Sequence, residues 1–334
     1  MSRKSILITG GAGFIGSHLA QHFVEKGYLV KILEDFSSGI VNNIQGLFNY
    51  RNFKLIRGDV RDKEIVRKST ADIDFVFHLA AQIHVDRSIT DPRETFEINA
   101  LGTLNILDAA IENDVELIVY ASSSEVYGSA MYVPMDEKHP MNPASPYSAS
   151  KVAADRLCFS YYNTYKLPIV IVRCFNTFGP RQKNTGYAAA VPLFVHRVFQ
   201  NLPPVIYGDG TQTRDYMYIK DAVRAYEKVL DSYENVLGKA INFGTGKELS
   251  ILKLGEVVVD ICNRISGQTH NLKPVHAPPR PGEVKRLCAD INLARSLLDF
   301  EPEYSAEQGL QEFVDWYGRG GYEEWKAYTE SGQK

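Results

Sequence analysis

Ser5-Ile6-Leu7-Ile8-Thr9-Gly10-Gly11-Ala12-Gly13-Phe14-Ile15-Gly16 opens on a short apolar, strand-like run, turns through glycines and continues into an amphipathic helical pattern. Glycine permits a tight turn at Gly10 and lets backbone N–H groups approach a pyrophosphate near Gly13. At Gly16 it lets the helix pack closely on the sheet. The helix start at Phe14 and Ile15 adds a dipole favourable to phosphate. A purely structural turn would also use glycines, but between a first strand and a helix this spacing predicts a dinucleotide site.

Outward from this loop, short β-branched runs alternate with longer helical patterns. Strands are predicted at Ser5–Thr9, Tyr28–Leu33, Phe53–Arg57, Phe75–Leu79, Glu116–Tyr120 and Pro168–Arg173. Helical periodicity marks Phe14–Lys26, Asp62–Ser69, Pro92–Asn113 and Tyr147–Tyr165. Such alternation predicts an α/β fold with a doubly wound parallel (Rossmann) sheet. After Phe175 the pattern breaks into pieces punctuated by proline and glycine, which predicts a smaller mixed α/β substrate-binding lobe. The expected division is residues 1–175, with roughly 218–262, for the cofactor domain, and 176–217 with 263–328 for the substrate lobe.

Glu34-Asp35 closes the second predicted strand, about twenty residues beyond the glycine loop, where an acidic side chain meets adenosine ribose hydroxyls. A carboxylate there repels a 2′-phosphate, and the next arginine along the chain is Arg51. NAD is expected over NADP, with Glu34 as the ribose ligand; the alternative is a solvated acidic turn.

The 334 residues carry 44% hydrophobic and 23% charged side chains and a formal charge of −3, so nothing suggests a basic face for nucleic acid. Neither a signal peptide nor a membrane span is expected. Cys158, Cys174, Cys262 and Cys288 lack paired ligand spacing and read as buried free thiols of a cytoplasmic protein. His18 and His22 stand four apart on the first helix without a third ligand, so no metal site is expected; His78 reads as a packed core histidine.

Tyr147 and Lys151 stand four apart in Pro146-Tyr147-Ser148-Ala149-Ser150-Lys151, which places both on one helix face. An ammonium beside a phenol favours the phenolate, and bringing a tyrosine toward neutral pH requires on the order of 4 kcal/mol of differential stabilisation. Two unrelated surface residues would give the same pair by chance.

Joined with Gly10–Gly16, His78-Leu79-Ala80-Ala81, Asn99 in Ile98-Asn99-Ala100-Leu101-Gly102-Thr103, and Ser122-Ser123-Ser124-Glu125-Val126-Tyr127-Gly128, the pair takes on another meaning. From Ser5 to about Tyr317 the chain resembles the extended short-chain dehydrogenase/reductase superfamily, and within it the nucleotide-sugar epimerase/dehydratase branch. The resemblance implies that Tyr147 takes a sugar hydroxyl proton while hydride passes to NAD. Lys151 would hold the ribose and lower the Tyr147 pKa, and Ser123 would hydrogen-bond the reacting oxygen. Asp59 and Val60 would hold the adenine, Ala80 would line the cofactor site, and Asn99 would be a structural residue of the helical layer. A homodimer built from Pro92–Asn113 and Tyr147–Tyr165 is also implied.

In the second lobe Arg173-Cys174-Phe175-Asn176, Thr213-Arg214-Asp215-Tyr216 and Pro279-Arg280-Pro281-Gly282-Glu283 resemble the family's nucleotide-gripping segments. Asn176, Arg214, Tyr216, Arg280 and Glu283 are thereby implied as substrate contacts, with Ser88 and Ser124. Guanidinium groups suit a diphosphate because they fork onto its oxygens and keep their charge.

Within the branch the motifs diverge. Glu125, two residues after Ser123, resembles the glutamate of 4,6-dehydratases, and Ala81-Gln82-Ile83-His84-Val85-Asp86-Arg87-Ser88 looks like the loop of dTDP-glucose dehydratases. Those enzymes carry an acidic aspartate where Ser124 stands, so this position is similar instead to GDP-mannose dehydratases, and the serine/glutamate pair also occurs in UDP-glucuronate decarboxylases. Phe178-Gly179-Pro180-Arg181-Gln182 through Tyr187-Ala188-Ala189-Ala190-Val191-Pro192 resembles UDP-hexose and UDP-N-acetylhexosamine 4-epimerases. Dehydratase is the leading expectation; 4-epimerase, decarboxylase and a non-catalytic NAD-binding protein stay open.

Overall fold

The computed structural model describes residues 3–183, 189–267, 271–279 and 283–321. Its first strands are β1 (Ser5–Thr9), β2 (Leu29–Glu34), β3 (Phe53–Arg57), β4 (Phe75–His78), β5 (Leu117–Ala121) and β6 (Ile169–Cys174). There follow β7 (Asn176–Phe178), β8 (Val205–Tyr207), β9 (Thr213–Tyr218), β10 (Ala240–Phe243), β11 (Glu248–Ser250) and β12 (Val275–Ala277). Seven of these form one parallel sheet in the order β10-β6-β5-β4-β1-β2-β3.

The helices flanking its first six strands are α1 (Phe14–Glu25), α2 (Lys63–Thr70), α3 (Val85–Thr90), α4 (Pro92–Phe96), α5 (Gly102–Glu112) and α6 (Pro146–Tyr165). Successive side chains along a strand point to opposite faces, so strands covered on both sides read as continuous apolar runs. Thus Ile6, Ile8, Phe75 and Phe77 join one buried cluster with Leu19 and Phe23 of α1. Leu7, Val76, Ile118 and Ile171 join the other, with Val66 of α2, Ile106 of α5 and Ala154 of α6.

The six predicted strands lie within one residue of those observed. Two features differ from expectation. Pro92–Asn113 is not one regular helix: a π-helical turn at Glu97–Leu101 separates α4 from α5. The seventh strand, β10, returns to pair with β6 only after the chain has built β7, β8 and β9.

The second layer holds a three-stranded sheet, β11-β9-β7, and a β12-β8 pair. Helices α7 (Ala190–Phe199), α8 (Ile219–Asp231) and α9 (Ile251–Ser266) follow, with α8 packed on α1 and α9 on α7. No helix among the described residues is long and apolar enough to cross a membrane. The four cysteines are free, three of them buried and Cys174 partly so.

The sheet order reverses between β1 and β4. From β1 the chain proceeds to β2 and β3 on one side and crosses to β4 and β5 on the other, which opens a crevice at the strands' carboxyl ends.

Candidate active site

A cleft of about 670 Å³ occupies that crevice and continues between the main sheet and the second layer. Gly10, Gly13, Phe14, Ile15, Gly16, Glu34, Asp59, Val60 and Ala80 all line it. Gly10 lies at φ +69°, where side chains are strained, and a Cβ at Gly16 would sit 2.2 Å from the Gly10 carbonyl oxygen. Only glycine fits both places. Gly13 caps α1 without a side-chain hydrogen bond, which leaves the first N–H groups of a twelve-residue helix for an anion. This cradle suits a dinucleotide pyrophosphate.

Glu34 is buried at the end of β2 and accepts hydrogen bonds from the N–H groups of Ala12 and Phe36, both at 3.0 Å. Burial pushes its carboxyl up from the ordinary range, and those N–H groups only partly offset this. A cation does stand near Glu34, although the next arginine along the chain is Arg51. Lys183, lowered by burial, lies in the field of Glu34 on the cleft wall. It arrives from the loop after β7, about 150 positions along the chain, where neighbours of Glu34 in sequence give no hint of it. Asp59 accepts from Arg61 at 2.8 and 2.9 Å, and Val60 is buried beside it.

At the crevice centre stand Ser123, Glu125, Tyr147 and Lys151. Ser145 caps α6 in a reciprocal capping box with Ser148, which fixes the helix start immediately before Tyr147. Burial pushes the Tyr147 phenol up to about 12, opposed by its hydrogen bond with Ser123 and reinforced by the Glu125 charge. Lys151 donates to the Ala121 carbonyl at 2.6 Å and stands 4.6 Å above the Tyr120 ring centre. Burial brings its ammonium down to about 8. Burial also raises Glu125, with Arg214 acting in the opposite sense.

Asn99 belongs to the π-turn. Its side-chain oxygen accepts from Gln82 N–H at 2.7 Å, and its amide donates to the Gln82 carbonyl at 3.0 Å and to Ser150 on α6 at 2.8 Å. It fastens the cleft loop to the helix bearing Tyr147. His78 is buried between Thr9 and Thr103, at 2.7 and 3.0 Å, as a core residue.

From the second layer Asn176, Arg214, Tyr216 and Glu283 reach the cleft, as does Ser124 from the catalytic loop. The Asn176 side-chain oxygen is buried without a hydrogen-bond partner among the described residues, an acceptor open to a ligand. Arg280 and the stretch Asn184–Ala188 lie outside the described residues. One expectation is not met. Ser88 is fully buried off the cleft, its hydroxyl donating to Val85 C=O at 2.5 Å because the short α3 turns it inward. Arg173 is 1% exposed and holds Asp155 by two hydrogen bonds of 2.9 Å, so its segment reaches the cleft through Cys174, Phe175 and Asn176 instead.

Comparison with known proteins agrees with this geometry. The profile of the family described as GDP-mannose 4,6 dehydratase matches residues 7–313. A putative UDP-glucose 4-epimerase of Methanocaldococcus jannaschii is 38% identical, over 93% of this chain and 97% of its own length. A dTDP-glucose 4,6-dehydratase of Streptomyces niveus is 34% identical, over 93% and 92%. The solved structure of DesIV, a dTDP-glucose 4,6-dehydratase of Streptomyces venezuelae with NAD bound, superposes with a TM-score of 0.88 at 30% identity, covering 95% of this chain and 98% of that one. A cradle for pyrophosphate, a Ser-Tyr-Lys centre and these relatives lead to one conclusion: the chain belongs to the GDP-mannose 4,6-dehydratase-type family of extended short-chain dehydrogenase/reductase enzymes, the NAD-dependent dehydratases and epimerases of nucleotide sugars.

Proposed function

We propose that the protein is a nucleotide-sugar 4,6-dehydratase, giving a 4-keto-6-deoxy sugar nucleotide. The observation that carries this reading is Glu125, a carboxyl group on the cleft wall within the electrostatic reach of Tyr147 and Arg214. A 4-epimerase needs no such group, because inversion at C4 requires only removal and return of hydride on opposite faces.

NAD, which Gly10–Gly16, Glu34, Asp59, Val60 and Ala80 would hold, would supply the hydride acceptor and a positive ring that favours the Tyr147 phenolate. Tyr147 takes the C4 hydroxyl proton as the C4 hydrogen leaves, and Ser123 donates to the same oxygen. The ketone at C4 acidifies the C5 hydrogen, which the Glu125 carboxylate removes. The C6 hydroxyl then departs as water with the proton that Glu125 has taken from C5, the hydride removed from C4 would be delivered to C6, and C5 takes a proton from solvent. Ser124 lines the same wall but brings no acidic group, so Glu125 is the carboxyl proposed for both proton removal and proton delivery. Arg214 and Arg280 are proposed to hold the diphosphate and Asn176, Tyr216 and Glu283 other parts of the nucleotide-sugar substrate, with a homodimer the working assembly and the β1–β6 portion with β10 the cofactor domain.

A 4-epimerase is the second reading, favoured by the likeness of the sequence Phe178-Gly179-Pro180-Arg181-Gln182 through Pro192 to that of 4-epimerases and by the name of the Methanocaldococcus relative. Turnover of a nucleotide-sugar panel in deuterated water separates them. A dehydratase product carries deuterium at C5 and the former C4 hydrogen at C6. Glu125→Gln still reduces bound NAD on adding substrate but forms no 4-keto-6-deoxy product. An inverted sugar without C5 label, together with full activity of Glu125→Gln, overturns the dehydratase reading.

A further inference from the structure

Asp155 lies one helical turn beyond Lys151 on α6, is fully buried, and has no part in the chemistry above. Its carboxylate accepts the fork of Arg173 from β6, and Ser122 at the end of β5 donates to it at 2.7 Å. Arg156 adds a third donor at 3.1 Å. The remaining arm of Arg173 donates to the Tyr127 hydroxyl at 2.8 Å, and that hydroxyl donates to Asn242 of β10 at 2.8 Å. Ser122 and Tyr127 flank the segment that carries Ser123 and Glu125. The Asp155–Arg173 pair therefore grips the catalytic loop at both ends and ties it to the helix bearing Tyr147 and Lys151.

Stability does not explain such a pair, since replacing a buried ion pair with packed apolar groups is often neutral or stabilising. Its surroundings suggest another reason. Lys151 is faced by His78 from β4, Tyr120 from β5, and Cys158 and Asp155 from its own helix. Burial holds His78 neutral, down to about 3, and pushes the Tyr120 phenol and Cys158 thiol well up. Burial also pushes the Asp155 carboxyl up, but the hydrogen bonds from Arg173, Arg156 and Ser122 outweigh it and hold it ionised. Among these groups Asp155 alone is an anion at neutral pH.

We propose that Asp155, braced by Arg173, is a positioning residue that sets the catalytic loop against α6 and keeps Lys151 charged. This rests on the reading that a charged Lys151 supports proton removal by Tyr147. The test is a titration of NAD-loaded protein labelled with ¹³C at the lysine ε-carbons, the Lys151 signal being identified by its loss in Lys151→Arg. Asp155→Asn should lower the Lys151 midpoint by about one unit, the effect of losing a nearby opposite charge. Asp155→Asn/Arg173→Met, which leaves no unpaired buried charge, should lower it too if the single variant folds poorly. The alkaline limb of substrate-dependent NAD reduction should move down with it, while NAD affinity is unchanged. A Lys151 midpoint that stays at the wild-type value in the folded variant overturns the proposal, whatever happens to turnover. Failure of the underlying reading appears separately, as a Lys151→Met enzyme that reduces bound NAD at the normal rate.

Discussion

Tyr147 combines two demands that pull against each other. Burial places the phenol where a substrate hydroxyl can be desolvated, and the same burial raises its pKa to about 12. Cationic neighbours have to offset that rise before the residue can accept a proton. Tyr147→Phe removes the acceptor and leaves the glycine cradle and Glu34 untouched. Turnover should fall about a hundredfold to ten-thousandfold, with NAD affinity unchanged in a fluorescence titration. The two flanking groups set the pH window under the proposed mechanism, because the proposed dehydration requires Glu125 ionised and Lys151 protonated. A log plot of kcat/KM against pH should therefore rise through a midpoint above the usual glutamate range and fall through one near 8. A flat profile from pH 5 to 9 would contradict both roles. Arg214 reaches the cleft from β9, outside the Ser-Tyr-Lys centre, so Arg214→Ala should raise KM for the nucleotide sugar with little change in kcat. Steady-state kinetics on the two parameters checks this.

The main strands were legible because their apolar runs, buried on both faces, have no competing explanation in a chain this polar elsewhere. The glycine loop was equally legible, since its spacing encodes a local backbone path. What escaped was whatever depends on partners distant in sequence. Nothing near Arg173 announces that Asp155 will claim its guanidinium, and nothing near Glu34 announces Lys183. The π-turn around Asn99 was hidden because helical periodicity hardly changes when one turn widens, yet that turn frees Asn99 to hold Gln82 and Ser150. β10 was missed because Ala240-Ile241-Asn242-Phe243 is short and its partner β6 lies across the second layer. His78 on β4 gives a test at this level. Its folded pKa is depressed to about 3 against an unfolded value near 6.5, so the unfolded chain takes up a proton first as pH falls. The stability due to neutral His78 is full above pH 6.5 and is lost progressively toward pH 3. Denaturant melts of His78→Gln should show a lower stability at pH 7 and a shallower decline between pH 6.5 and 4 than the wild type.

The cleft joins two layers of one chain, so the glycine cradle and the proposed diphosphate contacts share it only in the folded whole. The helices under the catalytic centre have a second surface. Phe96 at the end of α4, Leu101 in the π-turn, and Phe159 and Tyr165 on α6 are 38%, 52%, 44% and 59% exposed. Single exposed apolar residues are ordinary, but α4, the π-turn, α5 and α6 pack on one another, which collects these four on one helical layer. A second copy of the chain would cover them, and a specific interface requires roughly 800 Å² from each partner. Light scattering at micromolar concentration should report twice the chain mass. Leu101→Glu with Phe159→Glu would place charges in an apolar contact and shift the protein toward monomer. Because Tyr147 and Lys151 ride on α6, the monomeric variant should also lose activity in proportion to its lost dimer and recover it at higher protein concentration. A wild-type protein that runs as a monomer at full activity would remove the dimer from the account and leave the cleft chemistry as it stands.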